Sequence, residues 1–191
     1  MAGRPVDLRR RAELLDAAVE HATAQGFAEL SWRSIAAALG VSTTTLVHHF
    51  GTKEQLLEAI LGRLRERTEV AVGEHPDLAA AARAVWAWCS APEQGPTFRL
   101  FFAVYGAALQ APGPFGGFLD VVGVDWMDTL RAAQGLEADP ETATRRATLV
   151  VATIRGLLLD LLASGDRARI DGAAEAFFAA LAGPGPDQAG R

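Results

Sequence analysis

The chain of 191 residues has one cysteine, one lysine and few residues that favour strands, and each scarcity narrows what it can be. A lone Cys89 excludes an intramolecular disulfide and leads us to expect an intracellular compartment, with the thiol serving as a small buried hydrophobe. Runs of Val, Ile, Thr and Tyr are scarce and alanine is abundant, which favours an all-α fold. The longest apolar stretch, Leu149 to Ala163, is interrupted by Arg155 and Asp160 and falls short of the roughly 20 residues that cross a bilayer. The first 20 residues carry arginines and acids without the apolar segment of a signal peptide, so the expectation is a cytoplasmic protein with no membrane partner. Enzyme signatures are missing as well: there is no Ser/His/Asp or Cys/His pattern, no phosphate-binding glycine loop and no carboxylate pair with an evident base. No catalytic residue and no cofactor is therefore expected. His48 and His49 are adjacent, so on a helix they diverge by about 100°, and no Cys, Asp or Glu stands at ligand spacing; no metal site is expected there either.

What is present is globular: 50% hydrophobic and 21% charged residues, with a net charge of −5. The acid excess lies in the C-terminal part, because residues 1–75 hold nine Lys and Arg against ten Asp and Glu, and the remainder nine against thirteen. Basic residues cluster at Arg4, Arg9, Arg10 and Arg11 and then at Arg33 and Lys53, the only lysine. Met1 to Val6 reads as an arm, and Asp7 as the N-cap of a helix over 8–25 with Leu15, Ala18, Val19 and Ala22 on one stripe and Gly26 at its end. Ser31 caps a second helix ending near Leu39, Gly40 supplies a turn, and Ser42 caps a third over 43–49. Thr52-Lys53-Glu54-Gln55 has the form of a capping box and opens a long fourth helix to Val72, with Leu56, Leu57, Ile60, Leu61 and Leu64 inward. Gly73 to Pro76 marks the expected domain joint. Further helices are expected at 77–90, 97–111, 115–134, 141–164 and 167–182, and a Gly/Pro-rich disordered tail at 184–191.

The stretch from Ser31 to Lys53 carries the function. A short helix, a tight turn and a second short helix rich in hydroxyls and imidazoles form a helix-turn-helix that reads the major groove of DNA. Leu46 and Phe50, four apart, anchor the third helix, so Ser42, Thr43, Thr44, Thr45, His48 and His49 project towards base edges. Ser31 and Thr52 place helix N-termini, and Lys53 a full charge, where phosphates would lie; Arg33, early in the second helix, can reach a groove edge or a phosphate.

With these residues in view, residues 8–62 resemble the N-terminal domain of TetR-family transcriptional repressors. The matching pieces are LLDAA at 14–18, GF at 26–27, RSIAAALGVS at 33–42 and TTLVHHFGTKEQLL at 44–57, and the late GLLLDLLASGD at 156–166 resembles many members. The resemblance implies a homodimer on double-stranded operator DNA, released by a small molecule bound in the C-terminal domain. It assigns Arg33 to the second helix, Thr43 and Thr45 to the opening of the recognition helix, His49 to the histidine before the aromatic and Lys53 to the phosphate lysine. Val47 stands where members place a tyrosine; valine cannot donate to a phosphate but can touch a thymine methyl.

The expected organisation is a DNA-binding domain at 1–52, a connecting helix at 53–72 and a ligand-binding and dimerisation domain at 73–183. In that second domain Trp86, Phe102, Tyr105, Trp126 and Arg155 are the candidate lining for a small apolar or aromatic effector. Trp88, Phe98, Phe101 and Phe118 share the same aromatic richness, and core packing explains each singly. Arg155 and Asp160, within an apolar helix, require partners if buried: a local pair, a dimer seam or a ligand. Leu149, Thr153, Gly156, Leu157 and Leu161 on one helix, with Ala174, Phe177, Phe178 and Leu181 on the next, are the candidate dimer interface. Two rivals stand beside the effector-released repressor: an effector-independent regulator or activator with a filled core, and an enzyme using the apolar pocket.

Overall fold

A computed structural model describes residues 7–26, 29–72, 75–122, 126–135 and 138–182, and within these every side chain except those of 67–72, 114 and 121. The arm at 1–6 with Arg4, Phe27 of the GF pair, and the tail at 184–191 lie outside the described residues. Among the described residues there are helices and no strand. In chain order they are α1 (Leu8–Gln25), α2 (Trp32–Leu39), α3 (Thr43–Phe50), α4 (Lys53–Val72), α5 (Leu78–Cys89), α6 (Gly95–Gln110), α7 (Gly116–Val122), α8 (Met127–Ala132), α9 (Pro140–Ser164) and α10 (Arg167–Ala182). The all-α architecture with an N-terminal helix-turn-helix is the one expected.

Short polar side chains set the helix starts. The Asp7 carboxylate accepts the backbone N–H groups of Arg9 and Arg10 at 3.1 Å, Asp77 that of Ala80 at 2.8 Å, and Asp139 that of Thr142 at 2.8 Å. Pro140 follows Asp139 at the first position of α9, where its missing N–H is no loss.

One expected helix is two. The segment 115–134 divides into α7 and α8, and Trp126, at the start of α8, has φ 59° and ψ 0°. A left-handed residue cannot sit inside a right-handed helix, and for a bulky side chain this conformation is strained.

The chain forms two compact units. The first comprises Met1–Arg67 with Pro96–Gly123, the second Thr68–Gly95 with Val124–Arg191. This division differs from a single cut near residue 73: α6 and α7 pack with the N-terminal helices. One hydrophobic core runs through Leu14, Val19 and Ala22 of α1, Ile35 of α2, Leu46 and Phe50 of α3, Leu56, Leu57 and Ile60 of α4, Leu100 and Val104 of α6, and Phe118 and Val122 of α7. The Glu58 carboxylate of α4 adds a polar tie, accepting the Phe118 backbone N–H at 3.1 Å.

In the second unit, α5 packs against α8, α9 and α10. The buried residues of α9 are Ala143, Ala147, Val150, Val151, Ile154, Leu158 and Leu161, the three-and-four spacing of a single helical face. At 25 residues α9 is about 37 Å long, so length does not disqualify it as a bilayer helix, contrary to the expectation from its apolar run. Its role is set instead by that packed face and by its charges. Asp160 is held by a bidentate ion pair to Arg169 of α10, both bonds at 2.9 Å, which realises the local-pair option for this residue.

Candidate nucleic-acid interface

The turn between α2 and α3 is a two-residue device. Gly40 adopts φ 62° and ψ 32°; its N–H bonds to the Ala37 carbonyl and the next N–H, of Val41, to that of Ala36. This pairing closes a helix through a left-handed residue, a conformation that favours glycine. Ser42 then starts α3, its hydroxyl oxygen accepting the Thr45 N–H at 3.0 Å. At the far end Gly51 has φ 75°, a left-handed conformation that favours glycine, and a Cβ there would stand 2.1 Å from the Gln55 side-chain oxygen and displace that side chain. That oxygen accepts the Thr52 N–H at 2.9 Å while the Thr52 hydroxyl accepts the Gln55 N–H at 3.2 Å, the expected capping box.

Two α3 side chains are buried: Leu46 fully and Phe50 nearly so. Truncating such a side chain to alanine costs about 2–5 kcal/mol, enough to make the docking of α3 onto α1 and α2 firm. Thr43, Thr44, Val47 and His48 are exposed on the outer face, Val47 at 48%. Thr45 and His49 are half-buried. The Thr45 hydroxyl shares a 2.9 Å hydrogen bond with that of Ser42, and His49 has its Nδ1 buried without a hydrogen-bond partner. The outer face is thus made chiefly by Thr43, Thr44, Val47 and His48, with Thr45 and His49 at its margin.

The flanking candidates surround this face in sequence order. Ser31 caps α2 reciprocally with Ser34, at 3.1 and 3.0 Å, and Arg33 is exposed in the first turn of α2. Thr52 is exposed and Lys53 half-buried at the start of α4. Arg9 and Arg10 both reach Glu13, at 3.3 and 3.2 Å, as exposed pairs that contribute little to stability. Arg11 is different. It turns inward, donating through Nε to the His49 backbone carbonyl at 3.2 Å. The sequence does carry a signal for this: Arg11 is four residues before Leu15, on the buried stripe of α1 rather than on its solvent face.

The candidate effector lining divides between the units. Phe102 and Tyr105, both half-buried, belong to an aromatic group of the first unit in which Phe101 meets Phe102 at 5.2 Å and Tyr105 meets Phe118 at 6.0 Å between ring centroids. Trp86, Trp126 and Arg155 belong to the second unit, the two tryptophans buried. Cys89 is buried there too; burial pushes its thiol well above the usual range, against the weaker opposing pull of Arg155.

Three proposed interface residues need correction. Ala174 and Phe178 are both 0% exposed within a single chain, so they have no surface to offer a partner. They continue the Ile170 face of α10 onto α5, where the Arg83 guanidinium lies 5.6 Å from the Phe178 ring centre. Leu161 is also buried in the core of this unit. Leu149 and Gly156 are exposed, and Thr153, Leu157, Phe177 and Leu181 half-buried. Leu159, absent from the expected set, is an exposed large apolar residue of the same helix as Leu149. Among the described residues no group of three metal-ligating side chains comes together.

A capped two-turn helix with a polar outer face, docked on two others across a tight turn, defines a helix-turn-helix DNA-binding protein. Residues 14–60 match the family model of bacterial regulatory proteins, tetR family, so this part of the chain is similar to the DNA-binding domain of those regulators. Similar solved structures extend over nearly the whole chain. A TetR-family member from Streptomyces coelicolor A3 is 27% identical, with 92% of this chain and 98% of that one covered and a TM-score of 0.66. The multidrug binding protein EbrR, complexed with malachite green, is 28% identical, with 90% and 97% covered and a TM-score of 0.62. A transcriptional regulator from Rhodococcus sp. Rha1, at 22% identity with 90% and 95% covered and a TM-score of 0.72, shares the fold. No curated protein matches the chain.

Proposed function

We propose that the chain is a cytoplasmic homodimeric repressor that leaves a palindromic operator when a small apolar or aromatic effector binds outside the reading head. The observation that carries the reading is the outer face of α3, polar and exposed on a helix whose other face is locked into the core. Thr43, Thr44, Thr45, Val47, His48 and His49 read base edges; Ser31, Arg33, Thr52 and Lys53 hold the backbone, and Ser42 acts there through the helix start it caps. The dimer seam uses Leu149, Thr153, Gly156, Leu157 and Leu159 of α9 with Phe177 and Leu181 of α10. Gly156 allows close approach.

Two observations support an aromatic effector. Phe102 and Tyr105 sit on α6, whose Leu100 and Val104 belong to the core that holds α3 and α4, so a ligand touching α6 acts on the head directly. The similar EbrR structures hold malachite green and proflavin, both aromatic dyes. Release requires the effector to prefer the non-binding form, since a ligand with equal affinity for both shifts nothing.

The experiment is selection of bound duplexes from a random pool by the full-length protein, followed by titration with malachite green and proflavin. Enrichment of a palindrome bound by two chains, and its release by either dye, is the expected result. Enrichment of nothing overturns groove reading, and a selected duplex bound by one chain overturns the dimer. Dye binding without release overturns the switch for that dye.

A further inference from the structure

The basic cluster at the start of α1 divides in two. Arg9 and Arg10 face solvent and pair with Glu13, whereas Arg11, among the described residues, makes no ion pair and lies against the end of α3. Its Nε donates to the His49 carbonyl at 3.2 Å, and its guanidinium carbon is 5.1 Å from the centre of the Phe50 ring.

Helix α3 has eight residues, about 12 Å of helix, so its end turns are a large share of it. The last carbonyls of a helix lack internal partners and carry its negative dipole end. In α3 the Val47 carbonyl is taken by the Gly51 N–H at 2.9 Å and the His49 carbonyl by Arg11. A cation placed there satisfies the acceptor, complements the dipole and lies over an aromatic face at once. The N-terminal end is fixed separately by Ser42, so Arg11 governs the turn that carries Val47, His48 and His49.

We infer that Arg11 is a positioning residue for base reading: it clamps the C-terminal turn of α3 to α1 and does not itself contact phosphate. The inference rests on the docking of α3 in a groove. Phosphate contacts supply affinity without sequence information, and base contacts supply discrimination. Loosening the last turn therefore removes discrimination and leaves the electrostatic part of binding in place.

The test uses full-length native protein, Arg11→Met and Arg11→Lys, a duplex selected by the native protein, and a mixed-sequence duplex of equal length. For Arg11→Met the ratio of the two affinities should fall between about fivefold and a hundredfold, the span of one lost base contact, with the salt slope unchanged. Arg11→Lys should fall less, because it keeps the cation but not the planar group over Phe50. A salt slope smaller by about one unit with the ratio preserved would show a phosphate contact and overturn the inference. An unchanged ratio and slope in folded Arg11→Met overturns it as well. Should either variant not fold, the Arg11 Nε–H resonance of the native protein decides. Its retention and slow solvent exchange on adding the duplex support the clamp, and its loss or large shift overturns it. Failure of the native protein to select any duplex would be the failure of groove reading itself, a different outcome.

Discussion

The cap at Ser42 offers a test in which stability and DNA binding separate. Its hydroxyl accepts the Thr45 N–H at 3.0 Å and pairs with the Thr45 hydroxyl at 2.9 Å. Replacing an N-cap serine by alanine costs about 1 kcal/mol, and by glycine only a few tenths, because glycine leaves the first N–H groups open to water. For a chain of this size 1 kcal/mol corresponds to a fall in Tm of about 2–4 °C. The first turn of α3 holds Thr43, Thr44 and Thr45, so fraying it must be reversed on binding. Affinity for a selected duplex should then fall about fivefold in Ser42→Ala and less than twofold in Ser42→Gly. Thermal melting by circular dichroism and titration of the selected duplex by fluorescence anisotropy measure the two quantities. If glycine loses as much affinity as alanine while melting higher, the hydroxyl acts on DNA directly and the capping argument for affinity fails.

Three further outcomes follow from particular residues. Val47, half-exposed on the outer face, stands where the family resemblance places tyrosine, so Val47→Tyr should strengthen binding to mixed-sequence DNA; no gain with helicity intact would show that the ring finds no phosphate. Cys89 should not react with an aromatic disulfide reagent at pH 8 until urea unfolds the protein, because its thiol is buried and pushed above its usual range; rapid labelling of the folded chain would contradict this. Asp160 is held below the usual carboxylate range by its hydrogen bond to Arg169, and Asp139 by the Thr142 backbone N–H. Both pKa values fall on folding, so their stabilisation is complete above about pH 3.9 and is lost as pH drops through the folded values. Asp160→Asn should flatten part of the decline in Tm below pH 4, and an unaltered acid limb would remove the ion pair from the account.

The head was legible because its signals are local. Ser31, Ser42 and Thr52 each announce a helix start, and Gly40 and Gly51 each mark a backbone conformation that other residues resist. The fourth helix ends at Val72 as its apolar pattern does. What escaped depends on tertiary partners. Arg11 stands on the buried stripe of α1, four residues before Leu15, but its partner, the His49 carbonyl, appears only once α3 is folded against it. Ala174 and Phe178 fit an apolar stripe whether that stripe meets α5 or a second chain. Periodicity reports that a face is covered and says nothing of the cover. The break at Trp126 was hidden by the apolar runs on both sides, with Gly123 as the one weak hint in the sequence.

The sharing of one core by α1–α4 and α6–α7 bears on how this protein can be cut and recombined. A fragment ending at Val72 would carry every groove-facing residue and still leave bare the apolar surface that Leu100, Val104, Ala108, Phe115, Phe118 and Val122 cover. It would also strand the Glu58 carboxylate without the Phe118 N–H. Grafting the reading head onto a foreign body therefore means transplanting two pieces of chain, 1–67 and 96–123, together. For the same reason, substitutions in the second piece are inherited as changes to the head: a residue more than forty positions downstream of α3 belongs to its foundation.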